Sequence, residues 1–394
     1  MALLVTVCML SLLCGYACGE ASNGHARLGK VILDTDMAYV SDDAIAMFML
    51  SQLDSNGDLE LLGVTAVGGN VFAASATTAA LRQLELIGRA DIPVYQGTDL
   101  PLAGFRNMKK ESKIYGVPYF CGAYWDFDKN TFADMSARPT DYRNLGKEPL
   151  MGYAEKAAES QAAWDFMIEQ VHKYPDEVTI MSIGAATNVA LAIRKDPDFV
   201  KDAAGIIYMG GDIDVPGNAT PAAEMNWFYD PEAIRICLAA DWKSQLVVPD
   251  DLARQILLTQ SFYDRLAERD KTPVSELILS RKRTFNDDGC DYVWDVVVPV
   301  VYLKPEIITN MQRRYLTVDS SSILDSGRAV SWTPHSHNNF ETGEGLPEGV
   351  RPVQIVMGIN GDAFWDACID ILTLQPQAEM SQIRSATGMA RQSK

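Results

Sequence analysis

The run Val31-Ile32-Leu33 leads into Asp34-Thr35-Asp36, and Asp42-Asp43 follow at the head of an apolar stretch. Carboxylates this close repel one another, so a fold that gathers them does so around a hard cation, whose preferred ligands are oxygens. The plain alternative is a solvated acidic turn, in keeping with a formal net charge of −18. More polar residues stand after later apolar runs: Asn70, then Gly184 and Asn188, then Asn218, Glu224 and Asn226, and finally Asp295 behind Trp294. Taken singly each is weak; Asn226 reads as a cap or turn residue, and Asp295 as a helix N-cap. At the carboxyl ends of neighbouring parallel strands they would converge on one ligand.

Such convergence needs elements to carry it. Residues 31–33 read as a buried strand, and 43–53 as a helix with Ala44, Met47, Phe48 and Leu50 at helical spacing. Strand 61–67, helix 74–87 and strand 91–95 follow, then helix 154–173, strand 178–183, a helix from Thr187, and strands 205–209 and 246–248. Helices at 259–269, 274–283 and 296–303 precede strands 314–318 and 353–357 and a closing helix, 361–374. Alternation of strand and helix implies right-handed crossovers and a parallel sheet. The expected fold is α/β: a single open, mostly parallel sheet flanked by helices, with a Rossmann-like core. Residues 103–150 lack periodicity and read as a lid or substrate loop. No repeat and no Gly/Ser/Pro linker divides the chain.

The 394 residues are 47% hydrophobic and 22% charged, a globular composition able to bury a large core. The negative balance argues against a nucleic-acid partner, since phosphate backbones require a basic surface. Residues 2–18 carry no charge and end among small residues, which reads as a signal peptide over 1–20, too short for a confident membrane span. A secreted or periplasmic protein is expected. Cys121, Cys237, Cys290 and Cys368 lack metal-binding spacing, and Cys237 sits in an apolar stretch as a buried thiol would.

In order, Asp34-Thr35-Asp36, Asp42-Asp43-Ala44, Gly68-Gly69-Asn70, Gly184 with Thr187-Asn188, Met209-Gly210-Gly211, Gly217-Asn218, Glu224-Met225-Asn226, Asp230-Pro231-Glu232-Ala233 and Trp294-Asp295 resemble the pattern of the calcium-dependent nucleoside hydrolases. The resemblance covers roughly residues 29–375 and leaves 376–394 as a polar tail. It implies hydrolysis of an N-ribosyl bond, a nucleoside substrate and a homo-oligomer, dimer or tetramer. Calcium would be held by Asp36, Asp43, Asp295 and the main-chain carbonyl of Ile183, with Asp36 as general base toward a calcium-bound water. Asp42, Asn70, Asn226 and Asp295 would hold ribose hydroxyls, Asn218 and Glu224 the 5′ hydroxyl, and Met209 and Met225 would pack on the sugar.

Two departures matter. Asp36 and Asp42 are six positions apart, two more than in better-known members, so Tyr39 and Val40 must bulge; Asp34 remains a second candidate for the base. Inosine-uridine-preferring members place a His before the last metal Asp, where this chain has Trp294. That looks like the purine-specific (inosine-adenosine-guanosine) branch, in which aromatic rings sandwich the base. Tyr115, Tyr119, Phe120 and Trp125 of the irregular loop are the candidate partners of Trp294, and salvage or scavenging of purines would be the role. A haloacid-dehalogenase-type phosphatase, from Asp34-x-Asp36, and a non-catalytic calcium-dependent ribose binder are the rival readings.

Overall fold

A computed structural model describes residues 28–282, 291–336 and 339–375. The expected signal peptide, Cys290, His25, His337 and the tail 376–394 lie outside them.

The apolar runs become strands where their side chains can be covered on both faces. β1 (Lys30–Thr35), β2 (Glu60–Ala66) and β3 (Val94–Gln96) are followed by β4 (Val178–Ser182), β5 (Gly205–Met209) and β6 (Gln245–Val248). β7 (Ile308–Val318), β8 (Ala329–Trp332) and β9 (Arg351–Ile359) complete a nine-stranded sheet in the order β8-β7-β9-β6-β5-β4-β1-β2-β3. From β3 to β9 every pairing is parallel; β7 runs antiparallel to both β9 and β8. One face is covered by the helices Asp42–Asn56, Val297–Leu303 and Gly361–Leu372, and the other by Ala163–Lys173, Thr187–Lys195 and Pro231–Ala239. The expected open, mostly parallel sheet is therefore present. Strand order reverses between β1 and β4, and at such a switch point the outgoing loops part and leave a crevice.

Two expectations need correction. The helix expected over 154–173 begins only at Ala163. The residues ahead of it run along the open edge of β3 instead: Glu159 donates its N–H to the Val94 carbonyl at 2.8 Å, so an edge strand's unpaired groups outbid helix propensity. The loop 103–150 is less irregular than its composition suggests, since it carries a helix, Met108–Tyr115, and a small hairpin of Trp125–Asp126 with Thr131–Phe132. Cys121, Cys237 and Cys368 are buried free thiols. Among the described residues no helix is long and apolar enough to cross a membrane.

Candidate active site

β1 delivers Asp34 and Asp36 to different environments. Asp34 is fully buried and tied to the scaffold: its Oδ1 accepts bonds from Thr65 Oγ1 at 2.7 Å and Asn188 Nδ2 at 2.8 Å. Asp36 turns into the crevice, where Oδ2 accepts the main-chain N–H of Asn70 at 2.6 Å and Oδ1 its side-chain amide at 3.2 Å. Glycine is required at position 69, because a Cβ there would collide with Asp36 Oδ2. The loop closes over this point, with the Ala123 N–H on the Gly69 carbonyl at 2.9 Å.

The helix Asp42–Asn56 starts with its two acids in the first turn, where the positive end of the helix dipole favours them. Asp42, Asp43 and Asp295 each offer an oxygen, and these atoms lie within 4.8 Å of one another. That span is about twice a calcium–oxygen bond of roughly 2.4 Å, so one ion could bridge all three. Asp43 is held by Thr35 Oγ1 at 2.7 Å, Ser41 Oγ at 3.5 Å and Asn70 Nδ2 at 3.3 Å, all neutral donors. Burial first and neighbouring carboxylates second push Asp43 up to about 7 and hold Asp36 and Asp295 well above the usual carboxylate range. Hard oxygen donors crowded at the mouth of a buried crevice fit a divalent cation. Asp42, expected as a sugar ligand, thus stands in the acid cluster itself. The bulge ahead of it leaves Tyr39 52% exposed.

The sugar-side residues come from β4, β5 and the turn into the helix Met225–Tyr229. Asn226 Nδ2 donates to the carbonyls of Ile183 at 3.0 Å and Met209 at 3.2 Å, joining the ends of β4 and β5. Glu224 caps the helix through the N–H groups of Asn226 and Trp227 and also takes that of Gly211. Burial raises it to about 7. Asn218 Oδ1 accepts the Met225 N–H at 2.9 Å. Met209 and Met225 are buried beside them.

Two cavities flank the acids. One of about 260 Å³ is bounded by Asn70, Phe72, Trp125 and Phe127, and a smaller one by Asp42, Phe262, Tyr292, Trp294 and Trp365. Trp125 and Trp294 therefore line different recesses. The described ring partner of Trp294 is Tyr292, edge-on with centroids 5.8 Å apart. Tyr115 packs edge-on against Phe228, and Tyr119 is 96% exposed. Among the described residues no ring contact joins Trp294 to Tyr115, Tyr119 or Trp125, the expected partners across the base. The histidines also lie elsewhere: His172 binds Asp196 and Asp202, and His335 is exposed. Sequence reasoning missed Thr35, which stands between the two acids of Asp34-Thr35-Asp36, and the contact of Trp294 with Asp250, which has no local signal.

Residues 31–366 match the family described as inosine-uridine preferring nucleoside hydrolase. Uridine nucleosidase 1 of Arabidopsis thaliana is 34% identical over 300 residues, covering 74% of this chain and 79% of that protein. The inosine-uridine preferring nucleoside hydrolase of Leishmania major is 26% identical over 349 residues, 87% and 97% of the two chains. A solved plant nucleoside hydrolase superposes with a TM-score of 0.68 at 26% identity, over 88% of this chain and 99% of that one. With its acids gathered at the switch point of such a sheet, this chain belongs to the inosine-uridine preferring nucleoside hydrolase family and is a nucleoside hydrolase.

Proposed function

We propose that this enzyme hydrolyses the N-ribosidic bond of ribonucleosides, purine nucleosides in preference, with a bound calcium ion and Asp36 as general base, after export directed by residues 1–20. The observation that carries the reading is the cluster of Asp42, Asp43 and Asp295 within 4.8 Å, beside a buried Asp36. These carboxylates, with the Ile183 carbonyl that the resemblance implies, would hold the cation, which would supply the positive charge they lack and make a water beside it more acidic. Asp36, oriented by its two bonds from Asn70, takes the proton of the attacking water. As the bond to the base lengthens the sugar gains oxocarbenium character, and contacts from Asp42, Asn70 and Asn226 to its hydroxyls strengthen with that charge. Asn218 and Glu224 hold the 5′ end.

The departing base carries away the electrons of the broken bond and needs a proton. No described histidine contacts the acid cluster, which supports a base held by Trp294 and protonated from solvent. Ribose release from inosine, guanosine, adenosine, uridine and cytidine, with and without a chelator, tests each part. Chelator-sensitive release that is fastest from purines is expected. Faster release from uridine, the substrate in the Arabidopsis relative's name, overturns the base preference, and release indifferent to the chelator overturns the metal. Trp294→Ala should lower purine turnover about tenfold more than uridine turnover, the worth of one base–aromatic stack.

A further inference from the structure

A second buried group of acids lies behind Trp294, unused by the chemistry above. Asp212 follows Gly210-Gly211 after β5, and Asp250 opens the short helix Asp250–Ala253 after β6. Asp250 is fully engaged: Oδ1 accepts the Trp294 indole N–H at 2.5 Å, and Oδ2 accepts Arg254 Nε at 2.7 Å. The main-chain N–H of Trp294 donates to Asp42 Oδ2 at 3.3 Å. The indole is therefore fastened at both ends, to the acid cluster through its backbone and to Asp250 through its ring.

Asp212 is the unusual member. It is 5% exposed, and neither of its oxygens has a hydrogen-bond partner among the described residues. Around it stand Glu224, Asp250 and Arg254, whose Nη2 is 3.9 Å away. Both oxygens of Glu224 already accept backbone N–H groups, and Arg254 is committed to Asp250 and the Pro216 carbonyl. The remaining acids nearby are matched: Asp251 takes the N–H groups of Ile213 and Asp214, and Asp214 pairs with Arg314. Asp212 is thus left beside two other carboxylates and a guanidinium already bonded to Asp250. Burial, then Glu224 and Asp250, push Asp212 up to about 10, so it keeps a proton at neutral pH.

We infer that Asp250 is a positioning residue, holding the Trp294 ring where it meets the nucleobase. Asp250 gives one oxygen to the indole and the other to Arg254, and this fixes the ring between a buried carboxylate and the acid cluster. The role assigned to the ring rests on the proposed base site; the clamp itself rests on the bonds just given.

Kinetics of Asp250→Ala, Trp294→Phe and the double variant test it, on the best nucleoside and on p-nitrophenyl riboside, whose leaving group departs without a proton. Each single change should lower kcat/KM for the nucleoside about tenfold, and the double variant no further, because contacting residues are non-additive. The nitrophenyl substrate should change less than about twofold. Asp250→Asn, which keeps an acceptor for the indole, should restore most of the nucleoside activity and serves if the alanine variant fails to fold. Additive losses, or equal losses on both substrates, overturn the clamp. A wild-type preference for uridine would remove the purine reading while leaving the coupling measurement intact.

Discussion

The helix Asp42–Asn56 buries a carboxylate near each end and treats the two in opposite ways. Asp54 is bonded by the Arg89 guanidinium at 2.6 Å and takes the Leu61 N–H at 3.2 Å. Asp43 has the neutral donors Thr35, Ser41 and Asn70, and its other neighbours are Asp36, Asp42 and Asp295. The same chain that supplies a guanidinium at one end leaves repulsion at the other. A buried carboxylate without a fixed cation is costly for stability, so the arrangement makes sense as a place kept for a cation from solution. Asp54 belongs to the scaffold and Asp43 to the chemistry, although they share one helix.

The largest expected effect falls on the chemical end. Asp36→Ala should cut kcat by at least about 10²-fold, the range for losing a general base. Thermal unfolding of the metal-free variant should be unchanged or improved, since a buried acid has left a crowded cluster. Substantial residual turnover would refute the base assignment. At the scaffold end, Arg89→Ala strips the buried Asp54 of its cation and should cost about 3–5 kcal/mol in denaturant unfolding, with calcium affinity unaltered. An equal effect on calcium binding would erase the distinction between the two ends. Asp43→Asn should do the reverse. It should leave or raise metal-free stability and abolish the gain of about 2.7 kcal/mol that calcium at 100 times its Kd gives the wild type.

The smallest effect concerns a third way of treating acids. His172 places one ring nitrogen 2.8 Å from Asp196 and the other 2.7 Å from Asp202 at the surface, and these bonds raise its pKa. A raised folded-state pKa gives stability that is fully present below the unfolded value of about 6.5 and is lost as pH rises through the folded one. His172→Gln should flatten the pH dependence of unfolding there by less than about 1 kcal/mol, because the group is partly exposed. An unchanged slope would show that the pair contributes nothing measurable.

Strand 205–209 is where the apolar run places it, and β1, β2 and β4 differ from expectation only at their ends. Runs this apolar are buried on both faces by any parallel sheet, so local pattern suffices. The stretch 154–162 was not readable in the same way, because its alternatives are decided by an edge strand some sixty residues earlier. The site divides similarly. The order of acids and amides along the chain marked the strand ends where chemistry could gather. It could not separate Asp34 from Asp36, two acids two positions apart with the same local context.

By itself, then, the sequence determined the parallel sheet, the edge at which its polar residues collect and the family whose spacing they share, because periodicity and order are local properties. Only the tertiary structure decided which acids face one another. Thr65 and Asn188 claim Asp34 for the scaffold, Asn70 turns Asp36 into the crevice, and Asp250 takes the indole N–H of Trp294. Those choices depend on donors brought from distant strands and helices, and a hydrogen bond's partner is set by folded proximity, which no local pattern encodes.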